Sequence, residues 1–322
     1  IMNIMQDRRS QVYFLAGCGE HEIDDFREYT GYAAIARALR RDNIDLHVLR
    51  SDNLAQVPAD CDVLVIAGPR RPMGRATLSA IADYVARQGH ALVLAGPGTD
   101  TGLETLFEEL GVVISDCRVI QPSRLPLRFA MIGDGQKSDN SAIEVTAYGR
   151  HPITNPLRGI VTTFYRPKVL QIVPVAAGGT VTILAASAPD SWGKRDTRQR
   201  SMPDDAETIQ RGPLPVAVAV EKGATTGMRA GLNLMRLVLV GDSIFAANGC
   251  LSGGNQDFFL GAMHWLLRQE TLIGIAPQQT SRVRMVLTER SQFMILLIII
   301  GIIPGGVLGL GLLISSMRRI RS

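Results

Sequence analysis

The stretch "DVLVIAGPRRPMGRATLSAIADYVARQGHALVLAGP", residues 62–97, indicates the fold class most directly. Two short apolar runs, each ending in Gly-Pro, flank a segment (74–89) whose apolar residues recur at helical spacing. A strand, a helix and a strand of these lengths predict a parallel sheet with covering helices, because the returning chain packs across the sheet face. The stretch therefore predicts an α/β protein.

The same alternation continues on both sides of this stretch. We expect a Rossmann-like, mostly parallel sheet with helices on both faces. Three strands end on Gly17, Gly68-Pro69 and Gly96-Pro97, and their carboxyl ends share the edge where such sheets bind ligands. Besides the two strands and the helix of residues 62–97, the expected elements are strands 11–17, 44–50, 180–187, 215–221 and 235–242, short strands 117–121, 127–133 and 142–149, and helices 28–43, 101–111 and 256–267.

The domain organisation follows from changes in composition along the chain. Short apolar runs separated by turns predict a β-rich insertion, and a polar, charged stretch predicts a mobile loop. Because the chain begins with Ile1, we expect a fragment or a processed form. The expected parts are a lead-in (1–10), the main α/β domain (11–270) with its insertion (116–177) and mobile loop (189–213), a juxtamembrane linker (271–292), a membrane helix (293–316) and a basic tail (317–322).

The stretch "FMILLIIIGIIPGGVLGLGLLISS", residues 293–316, carries no charged side chain. As a helix it would be about 36 Å long, enough to cross a bilayer. The arginines of the 317–322 tail favour a cytoplasmic C-terminus, but Arg282, Arg284 and Arg290 lie on the other flank, so the charge rule alone does not decide the orientation. Gly301, Gly305 and Gly309 recur every four residues, and small residues on one face let membrane helices pack closely.

Composition excludes several function classes. The 322 residues are 46% hydrophobic and 20% charged with a net charge of +4, and the Lys and Arg residues are dispersed, which argues against nucleic-acid binding. No GxxxxGK[ST] loop is present, so the chain should not hydrolyse ATP through one. The four cysteines form no CxxC pair, and we expect no metal and no cofactor. A Cys18–Cys250 disulfide is a further expectation for an oxidising compartment.

Polar and small residues after the strands are the candidate ligand-binding residues. At the end of the run 235–242, Asp242 should accept hydrogen bonds from nearby backbone N–H groups, and Asn255 should cap the helix that follows. Glu20 or Asp24 should cap the first helix. The full candidate set is Gly17, Cys18, Gly19, Glu20, His21, Gly68, Pro69, Asp242, Ser243, Asn248 and Asn255.

Catalytic and metal-binding alternatives remain open at the same loops. Cys18 followed by His21 is a potential thiolate pair, and His21 with Glu20 and Glu22 is a potential metal site. A nucleophile elbow at residues 241–245 is excluded, because its fifth position, a small residue in that motif, is a phenylalanine here. We expect these residues to stabilise the loops and not to catalyse a reaction.

Six stretches, in this order, resemble the auxiliary, gliding-motility-type component of bacterial ABC transport systems. The resemblance implies a class I glutamine-amidotransferase-like fold outside the cytoplasm, a C-terminal membrane helix, and partners that are an ABC permease and a separate ATPase. Cys18 stands where that family commonly has the histidine of Gly-His-Gly-Glu, so a ligand role is not carried over to it. The stretches are "VYFLAGCGEHE", residues 62–97, "HPITNPL", "APDSWGKRD", residues 238–267 and "LTERSQFMILLIIIGIIPG".

The expected function is therefore a non-catalytic, membrane-anchored auxiliary subunit of an ABC-type transport system, in the inner membrane with its main domain periplasmic. The expected partners are the permease, the ATPase and membrane lipid, with a homo-oligomer as a further alternative and no nucleic acid. One rival is an extracytoplasmic module that binds a glycan or a peptide. Another is a hydrolase that uses Cys18 or Asp242.

Overall fold

The computed structural model describes most of the first of two compact units of the chain, Ile1–Ile275; the second unit is Ala276–Ser322. Everything said below about structure refers to the described residues. They are 8–96, 100–121, 142–174, 179–195, 210–223, 234–251 and 253–268.

Strands and helices alternate through the first part of the described chain, as the apolar pattern predicts. The strands are β1 Ser10–Ala16, β2 Ile44–Arg50, β3 Val63–Ala67, β4 His90–Leu94, β5 Val112–Ile120, β6 Ala142–Val145, β7 Thr162–Tyr165, β8 Lys168–Ile172, β9 Gly179–Ala186, β10 Trp192–Arg195, β11 Gln210–Arg211, β12 Pro215–Lys222 and β13 Met235–Val240. The helices are α1 Ala33–Arg41, α2 Arg75–Ala86, α3 Glu104–Glu109 and α4 Gly254–Leu266.

The central sheet has seven strands in the order β2-β1-β3-β4-β13-β12-β9. The first five are parallel: Val12 of β1 lies opposite both Leu46 of β2 and Val63 of β3, and Leu239 of β13 lies opposite Val93 of β4. β12 runs antiparallel to β13 and to β9. The prediction of a mostly parallel sheet is confirmed.

The core lies on both faces of this sheet, because side chains of a strand alternate between them. In β3, Val63 and Val65 belong to the core cluster that includes α1 and α4, whereas Leu64 and Ile66 belong to the cluster that includes α2 and α3. All five residues of β3 are buried, as expected for a parallel strand covered on both sides. Helices therefore cover both faces of the sheet.

A second, four-stranded sheet has the order β11-β10-β5-β8, and β6 pairs with β7. The segment 116–177 is rich in strands in its described part, although β5 begins earlier, at Val112. Two strands lie inside the stretch 189–213, where a loop was predicted, so that prediction is wrong there. Trp192 pairs with Ile120 across a long sequence separation, which local polarity cannot reveal. The strand predicted at 127–133 lies outside the described residues.

Among the described residues, no helix combines the length and the hydropathy needed to cross a bilayer. The predicted membrane helix at 293–316, with Gly301, Gly305 and Gly309, lies outside the described residues, as do the linker 271–292 and the tail 317–322.

Candidate functional site

The carboxyl ends of β1, β3 and β13 bring together several of the candidate residues. Gly68 ends β3 with a φ of +67°, and a Cβ there would lie 2.5 Å from Ser243 Oγ and 2.9 Å from His21 Cδ2. A glycine is required because the backbone approaches both side chains too closely for any Cβ. The end of β3 thus packs directly against a serine and a histidine from two other loops.

His21 is held in one tautomer by its partners. Its Nδ1 lies 2.6 Å from the Thr30 carbonyl, and because a carbonyl can only accept, the proton sits on Nδ1. Nε2 therefore accepts from the hydroxyl of Ser243, at 3.0 Å. The ring stacks on Tyr32 with centroids 4.6 Å apart. Burial lowers the pKa of His21, which keeps the imidazole neutral at physiological pH.

The Ser243–His21 contact has the form of a nucleophile and a general base. The sequence indicated both residues but not their pairing, since 222 positions separate them. Their side chains are buried, with exposed fractions of 1% and 5%. The neighbouring N–H groups of Ile244 and Phe245, which could otherwise stabilise an oxyanion, are donated to Asp242. The pair thus ties two loops together in a buried position.

Asp242 accepts backbone hydrogen bonds, as predicted. Its carboxylate accepts from the N–H of Ile244 at 2.7 Å, of Phe245 at 3.2 Å and of Tyr165 at 2.7 Å. Tyr165 belongs to β7, so the aspartate also ties the end of β13 to the β6–β7 hairpin. Burial raises the pKa of Asp242 to about 7, against the opposing effect of these N–H groups.

Asn255 does not cap α4, so that prediction is wrong. The helix begins at Gly254 and its cap is Gly253, which places Asn255 within the first turn. Its Oδ1 accepts from the Thr163 N–H at 2.8 Å, and its Nδ2 donates to the carbonyls of Thr163, Phe245 and Cys250 at 2.9–3.0 Å. This fully buried amide therefore joins α4, β7 and the loop after β13.

Asn248 provides the cap of α1. Its Oδ1 accepts from the N–H of Ala34 at 2.8 Å, in the first turn of the helix. Its Nδ2 donates to the carbonyls of Asp25 and Arg27, at 3.0 and 2.8 Å. A residue more than 200 positions away in sequence thus satisfies both the helix and the loop before it.

The predicted caps of α1 have other partners. Glu20 Oε2 accepts from the N–H of Cys18 at 2.7 Å, and the carboxylate of Asp24 lies 3.7 Å from the guanidinium of Arg40. Glu20 Oε1 is buried without a hydrogen-bond partner. The prediction that Glu20 or Asp24 caps the helix is therefore wrong, because the chain between them and Ala33 forms a longer loop than expected.

Cys18 does not pair with His21. The loop turns at Gly17 and Gly19, both with positive φ, and the Cys18 thiol lies 3.6 Å from Ser51 Oγ and 3.8 Å from the Pro72 carbonyl. The thiolate alternative thus lacks its base. In the described part of the chain, no group of three or more His, Cys, Asp or Glu side chains is arranged to hold a metal ion.

The expected Cys18–Cys250 disulfide is not formed, and both thiols are free. The two residues follow β1 and β13, which are separated in the sheet by β3 and β4 rather than being neighbours. Burial raises the pKa of Cys250 to about 12, so this thiol is unreactive.

The fold and the site define an α/β protein whose polar side chains at the carboxyl edge mostly bind the protein's own backbone. The model of the family described as an ABC-type uncharacterized transport system matches residues 9–262. The chain therefore belongs to this family of auxiliary components of ABC-type transport systems. Among proteins with curated descriptions, none matches it.

Solved structures show likeness at the level of the fold. The mmIFT52 N-terminal domain is similar with a TM-score of 0.54 and 13% sequence identity, over 80% of this chain and 97% of that domain. An exo-β-1,4-mannosidase, Op5Man5 from Opitutaceae bacterium strain TAV5, matches with a TM-score of 0.36 and 10% identity, over 82% of this chain and 35% of the enzyme. The β-galactosidase from Rahnella sp. R3 matches with a TM-score of 0.41 and 13% identity, over 81% and 31%.

Proposed function

We propose that the chain is a non-catalytic, membrane-anchored auxiliary subunit of an ABC-type transport system. The observation that carries the proposal is the family membership over residues 9–262. The chain has no phosphate loop, so the energy for transport has to come from a separate ATPase. In this proposal its partners are that ATPase and the permease.

Absence of catalysis is supported by the hydrogen bonds at the carboxyl edge. The Ser243–His21 pair is buried, and three backbone N–H groups already donate to Asp242 and are therefore not available to stabilise an oxyanion. Opening this arrangement would break contacts that join β13 to β7 and to the loop after β1. Catalysis here would therefore require the protein to lose part of its own structure.

Membrane anchoring is supported by the uncharged stretch 293–316 and by the arginines that follow it. We propose a cytoplasmic tail and a main domain outside the cytoplasm. A single cysteine introduced at Ser322, in a background without the four native cysteines, tests this topology. A membrane-impermeant thiol reagent applied to intact cells should leave it unlabelled, and labelling would contradict the proposal.

The experiment for the subunit role is co-purification from native membranes with an affinity tag on the full chain. The permease and the ATPase should be recovered together with it. Gly305→Leu should reduce their yield, because it places a bulky side chain on the face formed with Gly301 and Gly309. Gly311→Leu is the matched control, since it lies on a different face of the expected helix and should leave the yield unchanged.

Equal yields from both variants would mean that the helix is a plain anchor. Recovery of the tagged chain without a permease or an ATPase would contradict the subunit role itself.

A second candidate function is an extracytoplasmic module that binds a glycan or a peptide, and the buried, unpartnered Oε1 of Glu20 is the observation that favours it. Because this oxygen is enclosed, a hydroxyl or N–H group of a ligand would satisfy it only after the loop that carries Glu20 opens. Mass spectrometry of the chain purified from native membranes should then find a small molecule that is lost in Glu20→Gln. Glu22→Gln, at an exposed position two residues away, is the control.

A further inference from the structure

We propose that a pocket at the amino edge of the central sheet binds a phosphate-type oxyanion. The pocket has a volume of about 240 Å³ and lies between the starts of β1 and β4 and the end of α4. It is at the opposite end of the parallel strands from the candidate site described above. Its polar lining residues are Arg8, Ser10, Asp62, His90 and Arg268.

His90 presents a hydrogen-bond donor without an acceptor. The backbone N–H of Arg236 donates to His90 Nδ1 at 3.2 Å, so the proton of the neutral ring must be on Nε2. No acceptor for Nε2 exists among the described residues. The acceptor for this N–H group must therefore be an oxygen atom of water or of a ligand in the pocket.

The charges around this donor favour an anion. Arg8 and Arg268 are among the residues that line the pocket. Burial, and after it the charges of Arg268 and Arg236, lower the pKa of His90 to about 4. A neutral imidazole can still donate a hydrogen bond to an anion, while the positive charge comes from the arginines.

Asp62 is the opposing charge, and its carboxylate already has partners. Its Oδ2 accepts from the backbone N–H of Gln11 at 2.7 Å, and both of its oxygens lie 3.4 Å from the Arg8 guanidinium. The aspartate thus orients Arg8, which also donates to the Asp60 carbonyl at 2.7 Å. The lining of the pocket thus contains two arginines and one carboxylate that is already engaged.

A phosphate group fits this donor set better than a carboxylate. A phosphate group offers more acceptor oxygens than a carboxylate to two arginines and an imidazole N–H that come from separate elements, and arginine binds phosphate oxygens in pairs. The phosphate can come from a lipid headgroup or from a soluble molecule. Only the lipid source rests on the proposed membrane anchor; the pocket itself does not.

The test uses the full chain, labelled with ¹⁵N-histidine, in maltoside micelles that contain no phosphate. The His90 resonances are assigned by their loss in His90→Gln. Inorganic phosphate is titrated at constant ionic strength with chloride as the balancing ion. We expect a saturable shift of the His90 Nε2 resonance and a rise of the His90 pKa by at least one, because a bound anion stabilises the imidazolium. Acetate should produce neither effect at equal concentration.

Variants separate specific binding from a general salt effect. Arg268→Gln should weaken phosphate binding at least tenfold, and Arg8→Gln at least fivefold. Arg75→Gln removes an exposed arginine at the opposite edge of the sheet and should bind like the wild type. Arg268 also donates to the Leu234 carbonyl at 3.2 Å, so an unfolding midpoint accompanies each measurement, and Arg8→Gln tests the site if Arg268→Gln is destabilised.

Nanodiscs identify the source of the phosphate. If the His90 shift appears in phosphatidylglycerol discs without added phosphate, the ligand is a lipid headgroup. If it appears only after inorganic phosphate is added, the ligand is soluble. The proposal is overturned if phosphate gives no saturable shift in micelles, if acetate is as effective, or if Arg8→Gln and Arg75→Gln bind equally. The micelle experiment is independent of the permease, so its failure is distinguishable from failure of the proposed function.

Discussion

The two edges of the central sheet use similar polar side chains for different purposes. At the carboxyl edge, Asp242, Asn248 and Asn255 together bind backbone groups from β7, α1 and the surrounding loops. At the amino edge, the Nε2 donor of His90 faces a pocket with two arginines. The edge that usually binds ligands in parallel sheets is here closed by the protein itself.

The difference shows that strand direction alone does not locate a binding site. The carboxyl ends of parallel strands gather loops and polar residues, but those residues bind a ligand only if the fold leaves their hydrogen-bonding groups unused. Satisfied groups stabilise the fold, whereas an unsatisfied donor next to an open pocket can bind something else. Substitutions at the first edge should therefore change stability, and those at the second should change binding.

The largest expected effect is that of Asn255→Ala. The variant leaves one buried N–H and three buried carbonyls without this partner, so the free energy of unfolding should fall by about 3–5 kcal/mol. Urea unfolding followed by tryptophan fluorescence measures it. Asn155→Ala, at an exposed position, should change the free energy by less than about 0.5 kcal/mol. Equal effects of the two variants would mean that the hydrogen bonds of Asn255 do not stabilise the carboxyl edge of the sheet.

A smaller loss is expected for Gly68→Ala. The new Cβ would lie 2.8 Å from the Cβ of Ser243 at a φ of +67°, so steric overlap and backbone strain both contribute, about 2–4 kcal/mol in total. Gly74→Ala is the matched control, since a Cβ there meets no atom within 4 Å. The same urea titration compares them. A stable Gly68→Ala would mean that the serine and the histidine move apart easily and that the edge can open.

Asp242 should make stability depend on pH. Because its folded-state pKa of about 7 is above the ordinary value of 3.8, the folded state binds more protons between these pH values. The stabilisation is complete below pH 4 and is lost as the pH rises through 7. Between pH 5 and pH 8 the wild type should lose about 2 kcal/mol more than Asp242→Asn, which has no titrating group there.

Unfolding free energies of the two proteins at both pH values give this difference. An opposite sign would mean that the backbone N–H groups outweigh burial and hold the carboxylate ionised.

The smallest effect on stability is expected at the amino edge. Arg8 is largely exposed and its ion pair with Asp62 is 3.4 Å long, so Arg8→Gln should cost less than about 0.5 kcal/mol. Its effect on phosphate binding should nevertheless be at least fivefold. A large loss of stability without a change in phosphate binding would mean that Arg8 stabilises the fold and does not bind a ligand.

The parts of the fold that depend on local pattern were predictable from sequence. The apolar runs at β3 and β4 and the helical spacing between them fall where the structure places these elements. The strands β10 and β11 were not predictable, because they form by pairing with β5 and with each other. Their polar sequence carries no strand pattern of its own.

The sequence indicated which residues belong to the candidate site, but not which of them contact each other. Asp242 was expected to accept backbone N–H groups, which requires only the local turn, and it does. The cap of α1 by Asn248 and the Ser243–His21 contact join residues more than 200 positions apart, so no spacing in the sequence indicates them. The His90 donor depends equally on a distant partner, the backbone N–H of Arg236.

The position of β13 has a consequence for the order of folding. This strand is among the last described parts of the chain to leave the ribosome, yet it lies in the middle of the sheet, between β4 and β12. Without β13, the edge of β4 is unpaired and β12 has no strand that connects it to β4. The first turn of α1 likewise waits for Asn248. Folding of this domain therefore requires the chain up to about residue 250, and a chain cut before β13 would expose the apolar edge of β4.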